Sequence, residues 1–179
     1  MSGDGLFLKD LERNLTLWHD ENLFAGFGAL MFWSRDSQTV AFTNLFESPE
    51  RRVVVLISRD GVAKPIMGPS SPIPGLYLED LRWSPDGRYL AILVWDGDNV
   101  GDSVYLYDFE RNRYVSRCPI AKSTDATPQL LWSPNNKYLA YVARDYPLII
   151  MDVQSGEIIQ LANEGRAVGW SDKFPVEWP

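Results

Sequence analysis

Four times the chain closes a hydrophobic run with the pair Trp-Ser, at Trp33-Ser34, Trp83-Ser84, Trp132-Ser133 and Trp170-Ser171. In the first three copies an alanine stands eight positions after the tryptophan, at Ala41, Ala91 and Ala140. A recurring punctuation of this kind means one supersecondary unit used repeatedly, which fixes the architecture before composition is considered.

The second copy shows what the unit is. Ser84-Pro85-Asp86-Gly87 reads as a type I turn followed by a left-handed residue: Pro sets φ, Asp suits the next position, and Gly accepts positive φ. Such a turn joins two antiparallel strands through a bulged hairpin. Asn136 can take the left-handed place in the third copy, while Ser37 in the first fits it less well. Second strands follow at Tyr89 to Val94, Tyr138 to Val142 and Thr39 to Phe42. Third and fourth strands are expected at Val104 to Asp108 with Arg113 to Val115, at Val53 to Ile57 with Ala63 to Ile66, and at Leu148 to Val153 with Glu157 to Leu161. The inner strands are apolar at consecutive positions, as strands covered on both faces are. Four-stranded units covered on both sides by copies of themselves imply a β-propeller.

The string Trp-Ser-Pro-Asp-Gly-Arg-Tyr-Leu-Ala at 83–91, echoed by Trp-Ser-Pro-Asn-Asn-Lys-Tyr-Leu-Ala at 132–140, resembles the signature of TolB-like propeller blades. Those are relatives of WD-repeat and prolyl-oligopeptidase propellers. The Gly-His mark of true WD repeats is absent, and the single Trp-Asp pair, Trp95-Asp96, does not recur with the repeat. The resemblance implies a propeller, and protein binding as its usual role.

The ends look complementary. Leu6 to Asn14 aligns with Val104 to Asn112, so the chain opens on the outer hairpin of a blade. Ala167 to Ser171 with Val176 to Trp178 reads as an inner hairpin without an outer one. The expectation is a single all-β propeller domain over 1–179: outer hairpin 6–18, blades at about 29–67, 79–116 and 128–161, inner hairpin 167–178. That gives four blade equivalents, three whole and one composite. They could close as a four-bladed ring or pair as half of an eight-bladed homodimer.

Composition excludes several functions. A net charge of −7 and a pI near 4.7 argue against nucleic acid, which demands concentrated Lys and Arg. No run approaches the roughly 18 apolar residues of a membrane span. Met1 to Gly5 has no signal-like character, so the expected address is the cytoplasm. One cysteine, Cys118, leaves no internal disulfide and reads as a small buried residue at a strand end. His19, the one histidine, falls after the opening hairpin as a loop residue with no nucleophile placed for it. No cofactor motif is present.

Three weaker signals remain. Asp96, Asp98 and Asp102 alternate in a Gly-containing loop as calcium ligands do, but Tyr107 stands where the closing acid of an EF-hand would be. Glu79-Asp80, Asp96, Asp125 and Asp145 could supply a carboxylate pair for a hydrolytic or small-ligand site in a central channel, the alternative function. The loops joining second to third strands, with those between blades, hold Phe46, Tyr77, Trp95, Arg144 and Tyr146. Aromatic residues and Arg anchor protein interfaces. The leading expectation is therefore a non-catalytic module binding a protein or peptide, with Trp83 and Trp132 buried between sheets.

Overall fold

The structure, a computed structural model, describes residues 6–20, 29–44, 53–68, 77–95, 102–120, 129–142 and 148–162. These form fourteen strands and no helix. A hairpin of β1 (Leu6–Asp10) and β2 (Leu15–Asp20) comes first. Three four-stranded antiparallel sheets follow. The first is β3 (Ala29–Trp33), β4 (Thr39–Asn44), β5 (Val54–Ser58) and β6 (Ala63–Met67). The second is β7 (Tyr77–Trp83), β8 (Tyr89–Trp95), β9 (Asp102–Asp108) and β10 (Arg113–Ile120). The third is β11 (Gln129–Trp132), β12 (Tyr138–Val142), β13 (Leu148–Asp152) and β14 (Ile158–Ala162). Each sheet is a simple meander in which sequence neighbours are spatial neighbours. We call the sheets blades 1, 2 and 3, and the β1–β2 pair the half-blade.

The Trp-Ser turn is built identically three times. The serine hydroxyl donates to the acid or amide two residues on: Ser34 to Asp36 at 2.6 Å, Ser84 to Asp86 at 2.6 Å, Ser133 to Asn135 at 2.8 Å. The same oxygen accepts the N–H that opens the next strand, from Thr39, Tyr89 and Tyr138. All three serines are buried, so the bonds satisfy groups that water does not reach. The left-handed place is held by Ser37 (φ 57°), Gly87 (φ 78°) and Asn136 (φ 61°). Ser37 takes it despite its Cβ, because Ser34 and Asp36 fix the turn around it.

The outer turns repeat as well. Asp10, Asp108 and Asp152 end the third strand of their units and accept backbone N–H groups from the turn that follows. Asn14 (φ 50°), Asn112 (φ 55°) and Gly156 (φ 74°) then reverse the chain. This equivalence places β1 as a third strand and β2 as a fourth.

Contacts divide the chain into two compact units, residues 1–78 with 94–96, and 79–93 with 97–179. In the first unit, Val40, Phe42, Val55 and Ile57 form a core against which Leu8 of the half-blade packs. In the second, Ala91, Leu93, Val104 and Leu106 of blade 2 meet Leu130, Leu139, Tyr141 and Met151 of blade 3. The alanines of the repeat are sealed, Ala41 and Ala91 fully and Ala140 nearly so. Strand β8 is buried from Leu90 to Val94, with only its end residues partly open.

Three expectations need correction. His19 is not a loop residue: a bulge after Leu8 lets β2 pair on to Asp20, and His19 lies opposite Phe7. The fourth strand of blade 2 runs to Ile120, so Cys118 lies inside β10, opposite Val104. The tryptophans are not fully buried. Trp83 and Trp132 are half-buried and Trp33 is 51% exposed. A tryptophan at a strand end lies on the rim of a sheet, where a neighbouring blade covers one side of it only. The inner hairpin expected at 167–178 lies outside the described residues.

Candidate docking surfaces

Within the second unit, blades 2 and 3 are stitched by three hydrogen bonds, each spanning 50 residues. Asp80, buried in β7, accepts the Leu130 N–H at 2.9 Å, the Leu81 N–H at 2.8 Å and Arg82 Nε at 3.1 Å. Trp132 Nε1 donates to the Arg82 carbonyl at 3.1 Å, and the Trp132 ring stacks on Tyr89 at 6.2 Å and 19°. The Asp86 N–H donates to Asn136 Oδ1 at 3.0 Å. Asp80, one of the acids considered for hydrolysis, is thus filled by donors from two blades. Its sequence neighbours carry no sign of this; the signal is the one-repeat spacing to Leu130.

A second acid is equally occupied. Asp108 is fully buried, with Arg88 Nη2 and Arg111 Nη1 each 3.1 Å from Oδ2 and the Arg111 N–H on Oδ1. Burial by itself pushes this carboxyl up, but the Arg111 N–H and the Arg88 guanidinium outweigh it and hold the carboxyl below the usual carboxylate range. Glu110 completes the group 3.3 Å from Arg88 Nε. At the matching place in blade 3, the N–H groups of Ser155 and Gln154 lower Asp152 against its partial burial. In blade 1 the Ser34 hydroxyl does the same for Asp36. Beside Asp108, burial and the neighbouring Tyr107 and Tyr105 push the Tyr114 phenol up, so it stays protonated. These groups hold turns and seams.

The first unit contains a trough of about 310 Å³ between the half-blade and blade 1, lined by Leu8, Lys9, Asp10, Leu17, Trp33, Ser37 and Arg59. Trp33 lies in it without the ring stack that Trp132 has, among the described residues. On the other side of the half-blade, Phe7 and His19 stack at 4.2 Å and 3°, with Lys9 Nζ 5.8 Å from the Phe7 ring.

The sequence-derived interface residues are divided. Trp95 is half-buried at the end of β8. Tyr77 opens β7 instead of lying in a connector. Phe46, Arg144 and Tyr146 lie outside the described residues, as do Asp96 and Asp98 of the calcium candidate. Asp102 opens β9, opposite Ile120. Among the described residues no group of three metal-ligating side chains converges. In every sheet the tight turns leave from one end of the meander and the longer connections from the other. Trp95, the last residue of β8, and Tyr77, the first of β7, lie at that second end.

No family model matches the sequence. Among curated proteins, the echinoderm microtubule-associated protein-like 4 of Xenopus laevis is 30% identical over 97 residues, which is 52% of this chain and 10% of that protein. Among solved structures, TolB from Acinetobacter baumannii superposes with a TM-score of 0.55 at 18% identity, over 82% of this chain and 34% of that one. The Cps50 (Swd1) β-propeller domain of Myceliophteria thermophila gives 0.55 at 17%, over 78% and 40%. The hydrazine synthase of Kuenenia stuttgartiensis gives 0.59 at 16%, over 89% and 48%. The chain spans a tenth of the length of the curated relatives it matches and less than half of each of these solved chains. Repeated turn, four-stranded meander and fold neighbours agree: this chain has the β-propeller fold, built from blades of the TolB-like and WD-repeat-like kind.

Proposed function

We propose that this chain is a non-catalytic interaction scaffold that docks a protein or peptide on the loop-bearing end of its blades. The observation that carries the reading is a division of labour between the two ends. At the tight-turn end, the side chains able to do chemistry are committed to the fold, as Ser84, Asp86, Asp108 and Arg88 illustrate. At the other end Trp95 closes β8, and the sequence of the connections between strands supplies Phe46, Arg144 and Tyr146, residue types that anchor interfaces. In the second unit the Asp86–Asn136 bond sets the turns of two blades side by side. The connections that follow β8 and β12 therefore leave from a common end. A curated relative named as microtubule-associated and a propeller domain among the fold neighbours support a binding role.

The test compares the proteins retained by the wild-type chain with those retained by a Trp95→Ala, Arg144→Glu, Tyr146→Ala variant of unchanged melting temperature. A partner held by the first and released by the second supports the reading. Equal retention by both, or turnover of glycoside or ester substrates, overturns it.

A further inference from the structure

Among the described residues, each unit has one blade face that is only partly covered, and the repeat specifies what fits it. In the second unit, blade 2 presents Val104 and Leu106 of its third strand to blade 3, and both are sealed, at 2% and 0% exposure. The residues that seal them include Ile149 and Met151 of β13. The half-blade repeats this arrangement in the first unit, its Leu8 packing against the cluster that includes Val55 and Ile57 of blade 1. Stacking is therefore directional: the Leu106-type face of one blade meets the Ile149-type face of the next.

Blade 3 has a Leu106-type face as well. Its third strand offers Leu148 and Ile150 there, and Ile159 of β14 pairs with Ile150 in register. These are only half-buried, and Ile159 is 39% exposed. The half-blade in turn has an Ile149-type face, carrying Phe7 and Lys9 of β1 with His19 opposite Phe7. Phe7 is 45% exposed.

We propose that a second copy of this chain covers the open faces, the Leu148–Ile150–Ile159 face of one copy docking on the Phe7–Lys9–His19 face of the other. The seam between blades 2 and 3 argues for two copies over closure within one. A ring of four blade equivalents must turn a right angle at every seam, and a ring of eight half of that. With strands 4.8 Å apart, each strand outward widens a seam by about 7 Å in the first case and about 4 Å in the second. The observed seam stays closed from the second strand, at Ala91 and Leu93, out to the third, at Val104 and Leu106. That suits the narrower wedge. The contact is head to tail, so in a pair of copies it occurs twice.

Equilibrium sedimentation of the full chain tests the pairing, with Ile159→Glu and Phe7→Glu as separate variants. Both positions are surface-exposed, and thermal melts report whether each variant keeps its fold; Ile159→Ser and Phe7→Ser replace any that does not. Wild type is expected at twice the 20.4 kDa chain mass, and each variant at the single-chain mass. An equimolar mixture of the two variants is then expected to regain dimer, because one of its two contacts pairs an intact Phe7 face with an intact Ile159 face. Wild type sedimenting at the single-chain mass overturns the proposal. So does a dimer indifferent to both variants, or a mixture that stays monomeric. None of these outcomes bears on the loop-end binding tested above.

Discussion

Ser84 shows why the Trp-Ser pair recurs. Its hydroxyl donates to Asp86 and accepts from the Tyr89 N–H, inside a turn already closed by two backbone bonds between Ser84 and Tyr89 or Gly87. Replacing it with Ala leaves the Tyr89 N–H without its side-chain acceptor. The expected loss is about 1–2 kcal/mol by urea denaturation. The left-handed residue of the same turn gives a prediction of opposite sign. Ser37→Gly relieves a non-glycine residue held at φ 57°. The gain is up to about 1 kcal/mol, because the relief of roughly 1–2 kcal/mol is partly offset by the freer unfolded chain. Asp108 supplies the pH dependence. Its carboxyl is held below the usual range in the folded state, so the stabilisation is present above the unfolded value, about pH 4, and is lost as pH falls through the folded one. Thermal melts should therefore show stability declining on acidification. Asp108→Asn should flatten that decline while lowering stability at neutral pH by about 1.5–3 kcal/mol.

At the scale of the element, the strands and their turns were legible because turn chemistry is local. Pro85, Asp86 and Gly87 state the turn type by themselves, and the match of Leu6–Asn14 to Val104–Asn112 assigned β1 and β2 as outer strands. What was not legible is whatever depends on a partner one repeat away. Asp80 reads as a free acid in sequence, yet its donors include Leu130, 50 residues on. The half exposure of Trp132 is equally invisible, since it depends on where Tyr89 lies. The length of β10 was missed because Pro119 signals an end, although an outermost strand tolerates a proline whose missing N–H faces away from its neighbour. The seam itself is open to measurement. A double-mutant cycle on Tyr89→Ala and Trp132→Ala should return a coupling of about 0.5–1.5 kcal/mol. A coupling near zero would mean that the rings do not meet.

For the whole molecule, the repeat specifies the fold far more tightly than the function, because the motif consists of turn and core positions. The aromatic and arginine residues proposed to meet a partner stand in connections whose sequence obeys no repeat, so no internal copy checks them. The account's central claim is that one four-stranded unit is built three times, each around a sealed second strand. Native-state hydrogen exchange read strand by strand tests this most directly. The account predicts three separate maxima of protection, at β4, β8 and β12, with β6, β10 and β14 exchanging faster in their own sheets. A single protected region, or second strands that exchange as fast as the outermost ones, would contradict it.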